Sequence, residues 1–522
     1  MNNNFKNKVL SSKKIRYGTS AIVFTAVFVA FVILFNVMLS IVSGMTSGLY
    51  FDLTTEKLYS ISPASEKALS GTSAAVEIIF CQAKDKIAAD DFLNPVKMLA
   101  ESYEDKFDNV SVVYKDRISN PQYFNELSKN AMGSAKSIDN ESIVVNCRST
   151  GLCKVFSIYD LYKYSYGDDG YLKVFAFNGE NKISSAILSV AKSEEDLPKA
   201  GLITGHGESI GHDVYHHLEE YGYETEVVDL KNATREELKE YDLLLVNNPI
   251  SDYIGMGSSA TFAVSNDTLQ GLKGPVSSSD AAGLSSASSV NEIAKLRDYV
   301  TEDFGNIIFV FDPFTTSNLS ELFALVNDSF GVSVNNISYV YDDKKMIVAQ
   351  GYPEEWRYFG QYSKDTTSAG YSLHKEVSTS GTGLLPAFGI ACDIDIARKN
   401  VGNFEISPVV ETSYGDPLIT LSRYTRLMND KEYTANVIVC GTNGFINELD
   451  ETSLANADLF RQILVSMGNE TIIDGIDFKV LDETTINVSN DMKDDMQEKL
   501  VIMIPVMIAV VGVLVYIKRK YL

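Results

Sequence analysis

Cysteine, tryptophan and basic residues are all scarce in this 522-residue sequence, which has five Cys, one Trp and 45 Lys and Arg against 69 Asp and Glu. The cysteines form no CxxC pair, so nothing indicates a zinc ribbon or a dithiol redox site. The net charge of -24 argues against a nucleic-acid-binding protein, because no basic patch occurs outside the two ends. A Cys147–Cys153 disulfide and two buried thiols are both compatible with the sequence.

Motifs that serve nucleotide and acyl chemistry are also missing. The sequence has no GxxxxGK(S/T) phosphate-binding loop, no GxSxG nucleophile elbow and no HExxH zinc motif. We therefore predict no ATP hydrolysis by a P-loop. With the family resemblance described below, we also predict no enzyme activity, no catalytic residues and no cofactor.

Two uncharged hydrophobic runs stand near the ends of the chain, at residues 21–42 and 500–517. A transmembrane helix needs about 20 apolar residues, so the first run is long enough and the second is near the lower limit. Basic residues precede the first run and follow the second. The positive-inside rule then predicts that both termini are cytoplasmic and that residues from about 43 to 499 are extracytoplasmic. We predict a two-pass protein of the cell membrane, in contact with membrane lipid. The alternatives are a cleaved signal peptide for the first run and a buried core helix for the second.

Strands and helices alternate through the middle of the chain. Buried-type strands at 200–204, 243–246 and 306–311 are interleaved with helices at 214–221 and 290–302. The alternation predicts an α/β fold with extracytoplasmic doubly wound parallel-sheet domains, an additional β-rich region and flanking N- and C-terminal transmembrane helices. The predicted divisions are a basic tail at 1–20, the helix 21–42, a first α/β domain at 50–193, a second at 198–331 with a Ser-rich insertion at 253–289, a β-rich region with a closing strand and helix at 332–490, and a charged helix at 491–522 that leads into the transmembrane helix 500–517 and a basic tail.

A Gly-His-Gly-Glu loop directly follows the predicted strand 200–204. It lies at the carboxyl end of a strand and before a helix, where open α/β sheets usually bind ligands and where anions are favoured. We predict a ligand-binding or coupling role for its four residues, Gly205, His206, Gly207 and Glu208. The structural alternative is that the two glycines serve only a tight turn with positive φ.

Four of the five histidines lie close together, at positions 206, 212, 216 and 217. His212 and His216 are four residues apart on a predicted helix and so share a face. Together with His206, and with Glu208 or Asp213 as an oxygen ligand, they could form a metal site. Because the spacing matches no established metal motif, we predict no metal site; polar residues at a helix start account for the cluster.

Six separated segments resemble the signature segments of a known family, the GldG-like auxiliary components of ABC-2 type export systems, which is named from a gliding-motility transporter. GHGE is the most specific of the matches. The chain departs from the family in having Phe304-Gly305-Asn306 where Gly-Gly often precedes a strand, and in having the insertion at 253–289. The six segments are YFDLTTEKLYSIS at 50–62, ENKISSAILSV at 180–190, LITGHGE at 202–208, LLLVNNPISD at 243–252, VIVCGTNGFIN at 437–447 and NADLFRQIL at 456–464.

The resemblance implies a membrane-anchored accessory subunit that is neither ATPase nor permease. Its extracytoplasmic domain would act in substrate handling or complex assembly, and its partners would be an ABC ATPase subunit and an ABC-2 permease, with no nucleic acid and with the substrate unassigned. The residues leave two alternatives open. One is a cell-envelope glycan- or polymer-binding protein, for which the 28 Tyr would offer stacking surfaces. The other is a surface hydrolase that uses the His206 region.

Overall fold

The computed structural model describes residues 57–132, 137–166, 171–209, 212–255, 291–313, 318–349, 352–379, 383–449, 451, 453–473, 475–476 and 478–481, with the single residues 28 and 518. The predicted segments 21–42 and 491–517 therefore lie outside the described residues, apart from Phe28. So does the Ser-rich insertion after residue 255.

Residues 57–193 form the N-terminal unit, which combines a mixed four-stranded sheet with helices. The sheet has the order β2-β1-β3-β4; β1 and β2 are parallel, and β3 is antiparallel to both of its neighbours. A smaller antiparallel sheet joins β5, β6 and β21. The bounds are α1 Pro63–Leu69, β1 Val76–Phe80, α2 Lys84–Ala88, α3 Leu93–Lys106, β2 Val110–Tyr114, α4 Pro121–Lys129, β3 Ser142–Cys147, β4 Cys153–Ser157, β5 Tyr162–Tyr166, β6 Leu172–Phe177 and α5 Gly179–Ala191, with β21 at Lys479–Val480.

Residues 198–473 form the large-sheet unit, in which a nine-stranded sheet is parallel in one half and antiparallel in the other. From β8 through β7, β9 and β10 to β20 the strands are parallel, and from β20 through β19 and β18 to β14 they are antiparallel. The bounds in the first half of the unit are β7 Lys199–Thr204, α6 His212–Glu220, β8 Glu224–Asp229, α7 Arg235–Leu238, β9 Leu243–Asn247, α8 Glu292–Thr301, β10 Asn306–Val310 and α9 Ser320–Asp328.

The second half of this unit contributes the antiparallel strands and two further small sheets, β11 with β16 and β12 with β13 and β15. Strand β10 pairs with both β9 and β20, so the predicted ranges 198–331 and 332–490 share one sheet. The bounds are β11 Ser333–Val340, β12 Met346–Ala349, β13 Tyr352–Phe359, β14 Gln361–Tyr362, α10 Ala369–Thr379, β15 Ala387–Phe388, β16 Ala391–Asp395, β17 Asn400–Val401, β18 Phe404–Glu411, β19 Pro417–Met428, β20 Lys431–Cys440, α11 Gly444–Asn447 and α12 Asn456–Ser466.

Helices cover both faces of the large sheet, which explains why its central strands are apolar throughout. Leu218 of α6 and Phe460 of α12 belong to the core on one face. Leu296 of α8 and Leu325 of α9 belong to the core on the other. All five residues of β9 are buried, as expected of a strand that is covered on both sides.

Several elements have local sequence codes. Ser62 caps α1 by accepting a hydrogen bond from the Ser65 amide, with a proline at the start of the helix. A capping box of Thr234 and Glu237 opens α7. Strands β7, β9 and β10 lie within one residue of the predicted bounds. Cys147 and Cys153 are free and buried, so no disulfide joins them.

The predicted fold class is corrected in two respects. The protein is mixed α/β with several sheets, because antiparallel pairing makes up half of the large sheet and most of the N-terminal one; a doubly wound parallel sheet is only one part of it. Among the described residues no helix is long and apolar enough to cross a membrane. The longest described helix, α3, has 14 residues and at about 1.5 Å per residue falls short of a bilayer core of about 30 Å.

The prediction of flanking transmembrane helices is therefore wrong on this finding, and so is the localisation derived from it. That localisation was a two-pass protein of the cell membrane with both termini cytoplasmic and residues of about 43–499 extracytoplasmic. It was based on hydropathy and on the basic residues that flank the two runs. The runs themselves, 21–42 and 500–517, lie outside the described residues apart from Phe28.

Candidate functional site

The GHGE loop leaves the carboxyl end of β7 and turns back along the sheet edge. Gly205 and Gly207 have φ values of +114° and +78°, which favour glycine. The carbonyl of His206 accepts hydrogen bonds from the amides of Ile250 at 2.9 Å and Ser251 at 3.0 Å. These bonds fasten the loop to the segment that follows β9, and a Cβ at position 207 would lie 2.2 Å from Ile250 Cγ1.

The side chain of His206 points into the protein and is only 6% exposed. Its ring stacks on Tyr253, with the centroids 4.0 Å apart and the planes 18° from parallel. Nε2 lies 3.1 Å from Oε2 of Glu292, and Nδ1 lies 3.5 Å from Oε1 of Glu208. We call His206, Glu208, Tyr253 and Glu292 the His206 cluster.

The two carboxylates of the cluster are held by further donors. Glu208 accepts from the His206 amide at 2.8 Å and from the Tyr253 hydroxyl at 2.5 Å. Glu292, which is fully buried at the start of α8, accepts from the amide of Ile254 at 2.8 Å. The cluster thus ties the loop after β7, the segment after β9 and α8 to one another.

Electrostatics make His206 a cation in the folded protein. Burial by itself lowers the pKa of this imidazole, but the hydrogen bonds and negative charges of Glu208 and Glu292 outweigh burial and raise the pKa to about 9. Burial opposes ionisation of Glu208 too, yet its hydrogen bonds to His206 and Tyr253 leave the carboxyl pKa below its usual value. Burial and the Glu208 charge raise the pKa of Tyr253 well above that of free tyrosine.

The geometry therefore gives the four predicted loop residues inward-facing roles. The glycines allow the turn. Glu208 accepts from the His206 amide and the Tyr253 hydroxyl, and the His206 ring lies at ion-pair distance from Glu208 and Glu292. The small cavity at this edge of the sheet, which includes Ser209, Val214 and Asn247, measures 10 Å³, about the space of one water molecule. The ligand-binding role stays a prediction.

No group of three His, Cys, Asp or Glu side chains within the described ranges could hold a metal ion. In the metal alternative weighed above, His206 is committed to two carboxylates. His216 lies instead beside a different cavity, with His217. The side chains of His212 and Asp213 lie outside the described residues.

Comparison with known proteins adds no identification. No protein-family model matches the chain, and no curated protein matches it. The resemblance to GldG-like components therefore stays a prediction that the six segments carry.

These six segments make contact with one another in the folded chain. Glu180, from the second segment, accepts hydrogen bonds from the Ser62 amide at 2.6 Å and the Ser65 hydroxyl at 2.7 Å, at the end of the first segment and just beyond it. The third and fourth segments meet through the His206 carbonyl and Ile250. The fifth and sixth meet through the side-chain amide of Asn456, which donates to the Phe445 carbonyl at 3.0 Å.

Sequence reasoning missed Tyr253 and Glu292. Tyr253 was assigned to the insertion at 253–289, although it is 2% exposed and stacks on His206. Glu292 begins α8 on the far side of that insertion, 86 residues from His206. The only local sign of Glu292 is that it is an acidic residue in the first turn of a predicted helix. The helix dipole favours an acidic residue there in any case, so this sign does not point to a contact with His206.

Proposed function

We propose that this protein is a non-enzymatic accessory subunit of an ABC-type export system, neither the ATPase nor the permease, and that it acts in substrate handling or complex assembly. The absence of a P-loop agrees with a dependence on a partner for ATP hydrolysis. The transporter context comes from the resemblance of the six segments.

The observation that carries the proposal is that residues of these segments contact one another in pairs. Such contacts indicate that the motif residues serve the fold, because each contacting residue has a hydrogen-bonding partner inside the protein. Asp252 illustrates this at the end of the fourth segment: its carboxylate accepts from the amides of Glu321 at 2.8 Å and Leu322 at 3.1 Å, and so caps α9. These contacts give the segments a structural role, which fits an accessory subunit without a reaction of its own.

The same geometry argues against the hydrolase alternative. A general base needs a free nitrogen that faces a nucleophile or a bound water. Nε2 of His206 faces Glu292 instead, and the ring face is covered by Tyr253. The raised pKa keeps this imidazole protonated at neutral pH, and a protonated imidazole cannot accept a proton.

Co-purification tests the proposal directly. The full chain, expressed with a tag from its own locus, is captured after mild detergent extraction, and untagged cells serve as the control. We expect an ABC ATPase and a multi-span permease in stoichiometric amounts, and no ATP hydrolysis by the chain once it has been separated from them. Captures that recover the chain repeatedly and contain neither partner would contradict the proposal.

A further inference from the structure

A cavity of 160 Å³ lies at the junction of the N-terminal unit and the large-sheet unit. We call it the junction pocket. Four basic side chains and three carboxylates line it, although acidic residues outnumber basic ones in the chain as a whole. The basic side chains are Lys154 of β4, Lys163 of β5, Lys182 of α5 and Arg461 of α12.

Two of these cations are neutralised by carboxylates across the junction. Lys163 pairs with Asp458 of α12 at 3.2 Å, and both side chains are 7% exposed. Lys182 pairs with Glu220 at the end of α6. The third lining carboxylate, Asp160, accepts from the Ser157 amide in a local capping box.

The other two cations have no carboxylate partner among the described residues. Lys154, which is 4% exposed, donates to the main-chain carbonyl of Glu220, and Arg461, which is 7% exposed, donates through Nη1 to the carbonyl of Ile473 at 3.2 Å. Nε of Arg461 is buried without a hydrogen-bond partner. A buried cation without a counter-charge is costly, so both groups favour an anion in the adjoining space.

Neutral polar groups complete the wall of the pocket. Asn178 stands at the N-cap of α5 but makes no capping hydrogen bond with its side chain, and its Oδ1 is buried without a partner. The Ser185 hydroxyl, about two turns further along α5, is unpartnered as well. The pocket thus opens beside a helix N-terminus, where the helix dipole also favours negative charge.

We propose that the junction pocket binds the phosphate or carboxylate group of a small anionic ligand, held by Arg461 from one unit and Lys154 from the other, with the Ser185 hydroxyl as a neutral hydrogen-bond donor. Such a ligand touches both units at once. The site is independent of the transporter assignment, because it depends only on the charges and the space at the junction.

Protonation of Lys154 provides a second signature. Burial, and then the charge of Lys182, lower the pKa of Lys154 to about 7. The other ionisable groups that line the pocket are Asp160, Lys163, His216, His217, Glu220, Asp458 and Arg461, with the hydroxyls of Tyr162 and Tyr221. A bound anion stabilises the ammonium form of Lys154, so binding is accompanied by proton uptake near pH 7 and weakens as the pH rises above that value.

Calorimetric titration of the full chain tests the site, with inorganic phosphate and acetate as separate probes at millimolar concentration. We expect binding of at least one probe, with proton uptake seen as a dependence on the ionisation enthalpy of the buffer. Binding of phosphate alone identifies a phosphoryl ligand, and binding of acetate alone a carboxylate. Binding of both shows recognition by charge. No binding of either probe to the wild-type chain overturns the proposal.

Variants locate the binding. Arg461→Gln should weaken binding by about tenfold or more, and Lys154→Met should weaken it and abolish the proton uptake. Arg297→Gln and Lys239→Met are matched controls, because neither residue lines the junction pocket. Both side chains are exposed, and they pair with Asp298 and with Glu236. Ser185→Ala provides a milder variant if the charge changes prevent folding. Affinity that is unchanged in Arg461→Gln and Lys154→Met, or equally reduced in the controls, contradicts the assignment.

Discussion

At the scale of single residues, His206 belongs to a loop motif whose side chains make their contacts inside the protein. The sequence places it at a sheet edge where ligands often bind, and the structure turns its ring inward between two carboxylates and against Tyr253. The sequence predicts the position of the loop because the strand, the glycines and the helix start are local signals. The direction of the side chain depends on Glu292, which arrives from beyond the insertion, and no local pattern contains it.

His206→Gln should destabilise the protein strongly. The change leaves Glu208 and Glu292 close together and buried with no cation between them, and breaking a buried ion pair costs about 3–5 kcal/mol. Urea unfolding measures the loss. Glu236→Gln is the control: its side chain is 81% exposed, and surface changes of this kind stay within about 0.5 kcal/mol. A His206→Gln variant as stable as this control would show that the cluster does not stabilise the fold.

The contribution of His206 should depend on pH in a defined direction. Its pKa is raised in the folded state to about 9, so its stabilisation is complete below the unfolded value of about 6.5 and is lost as the pH rises through 9. Lys154 acts oppositely, since its folded pKa of about 7 lies below the unfolded one. The informative quantity is therefore the difference in unfolding free energy between wild type and His206→Gln, which should shrink from pH 6.5 to 9. A difference that stays constant or grows would contradict the assigned charge of His206.

At the scale of elements, the glycines of the GHGE loop set the path of the chain from β7. Gly207→Ala should cost about 1–3 kcal/mol, because it combines a positive φ with a Cβ that meets Ile250. Gly71→Ala is the control, as nothing lies within 4 Å of its Cβ position and its φ is not positive. Adding Ile250→Ala to Gly207→Ala should recover only the part of the lost stability that comes from the steric contact with Ile250. If the thermal midpoint of Gly207→Ala equals that of the control, the loop does not need this conformation.

The cap on α9 comes from a residue distant in sequence. Asp252→Ala should destabilise the protein by about 1 kcal/mol, the usual cost of a lost cap, because the amides of Glu321 and Leu322 lose their acceptor. Asp252→Asn retains one acceptor oxygen and should cost less. Equilibrium unfolding gives the unfolding free energies of the two variants. An Asn variant that is less stable than the Ala variant would contradict the capping role.

The parts of the fold that the sequence predicts are those with local codes. Continuous apolar runs place β7, β9 and β10 within one residue of their observed bounds. The sequence does not predict that the antiparallel strands join the same sheet. They join it through the pairing of β10 with β20, which connects residues about 130 positions apart and has no local signal. Hydropathy predicted transmembrane helices, whereas no described helix has the length and apolarity to span a bilayer.

At the scale of the whole molecule, the two units meet through buried charges. Lys163→Met should strand Asp458 and cost about 3–5 kcal/mol, whereas Lys163→Met with Asp458→Leu should recover most of that loss, since a buried pair can often be replaced by apolar residues. A double-mutant cycle in urea gives the coupling between the units. Additive effects of the two changes would show that the pair does not couple them.

The junction pocket was invisible in the sequence for the same reason. Lys154 and Arg461 lie about 300 residues apart, and neither belongs to a motif; only the folded chain shows that both line one cavity. The large-sheet unit and the N-terminal unit thus contribute one uncompensated cation each, which no pattern of spacing could reveal.

The inward-facing GHGE side chains stabilise the fold, and we propose that the folded framework as a whole binds the transporter partners. The most direct test of this claim is the amount of ABC ATPase that co-purifies with wild type, His206→Gln and Glu236→Gln at a low temperature where circular dichroism shows all three to be folded. We predict equal amounts for the three chains. A folded His206→Gln chain that has lost the ATPase, or a wild-type chain that never retains it, would contradict the claim.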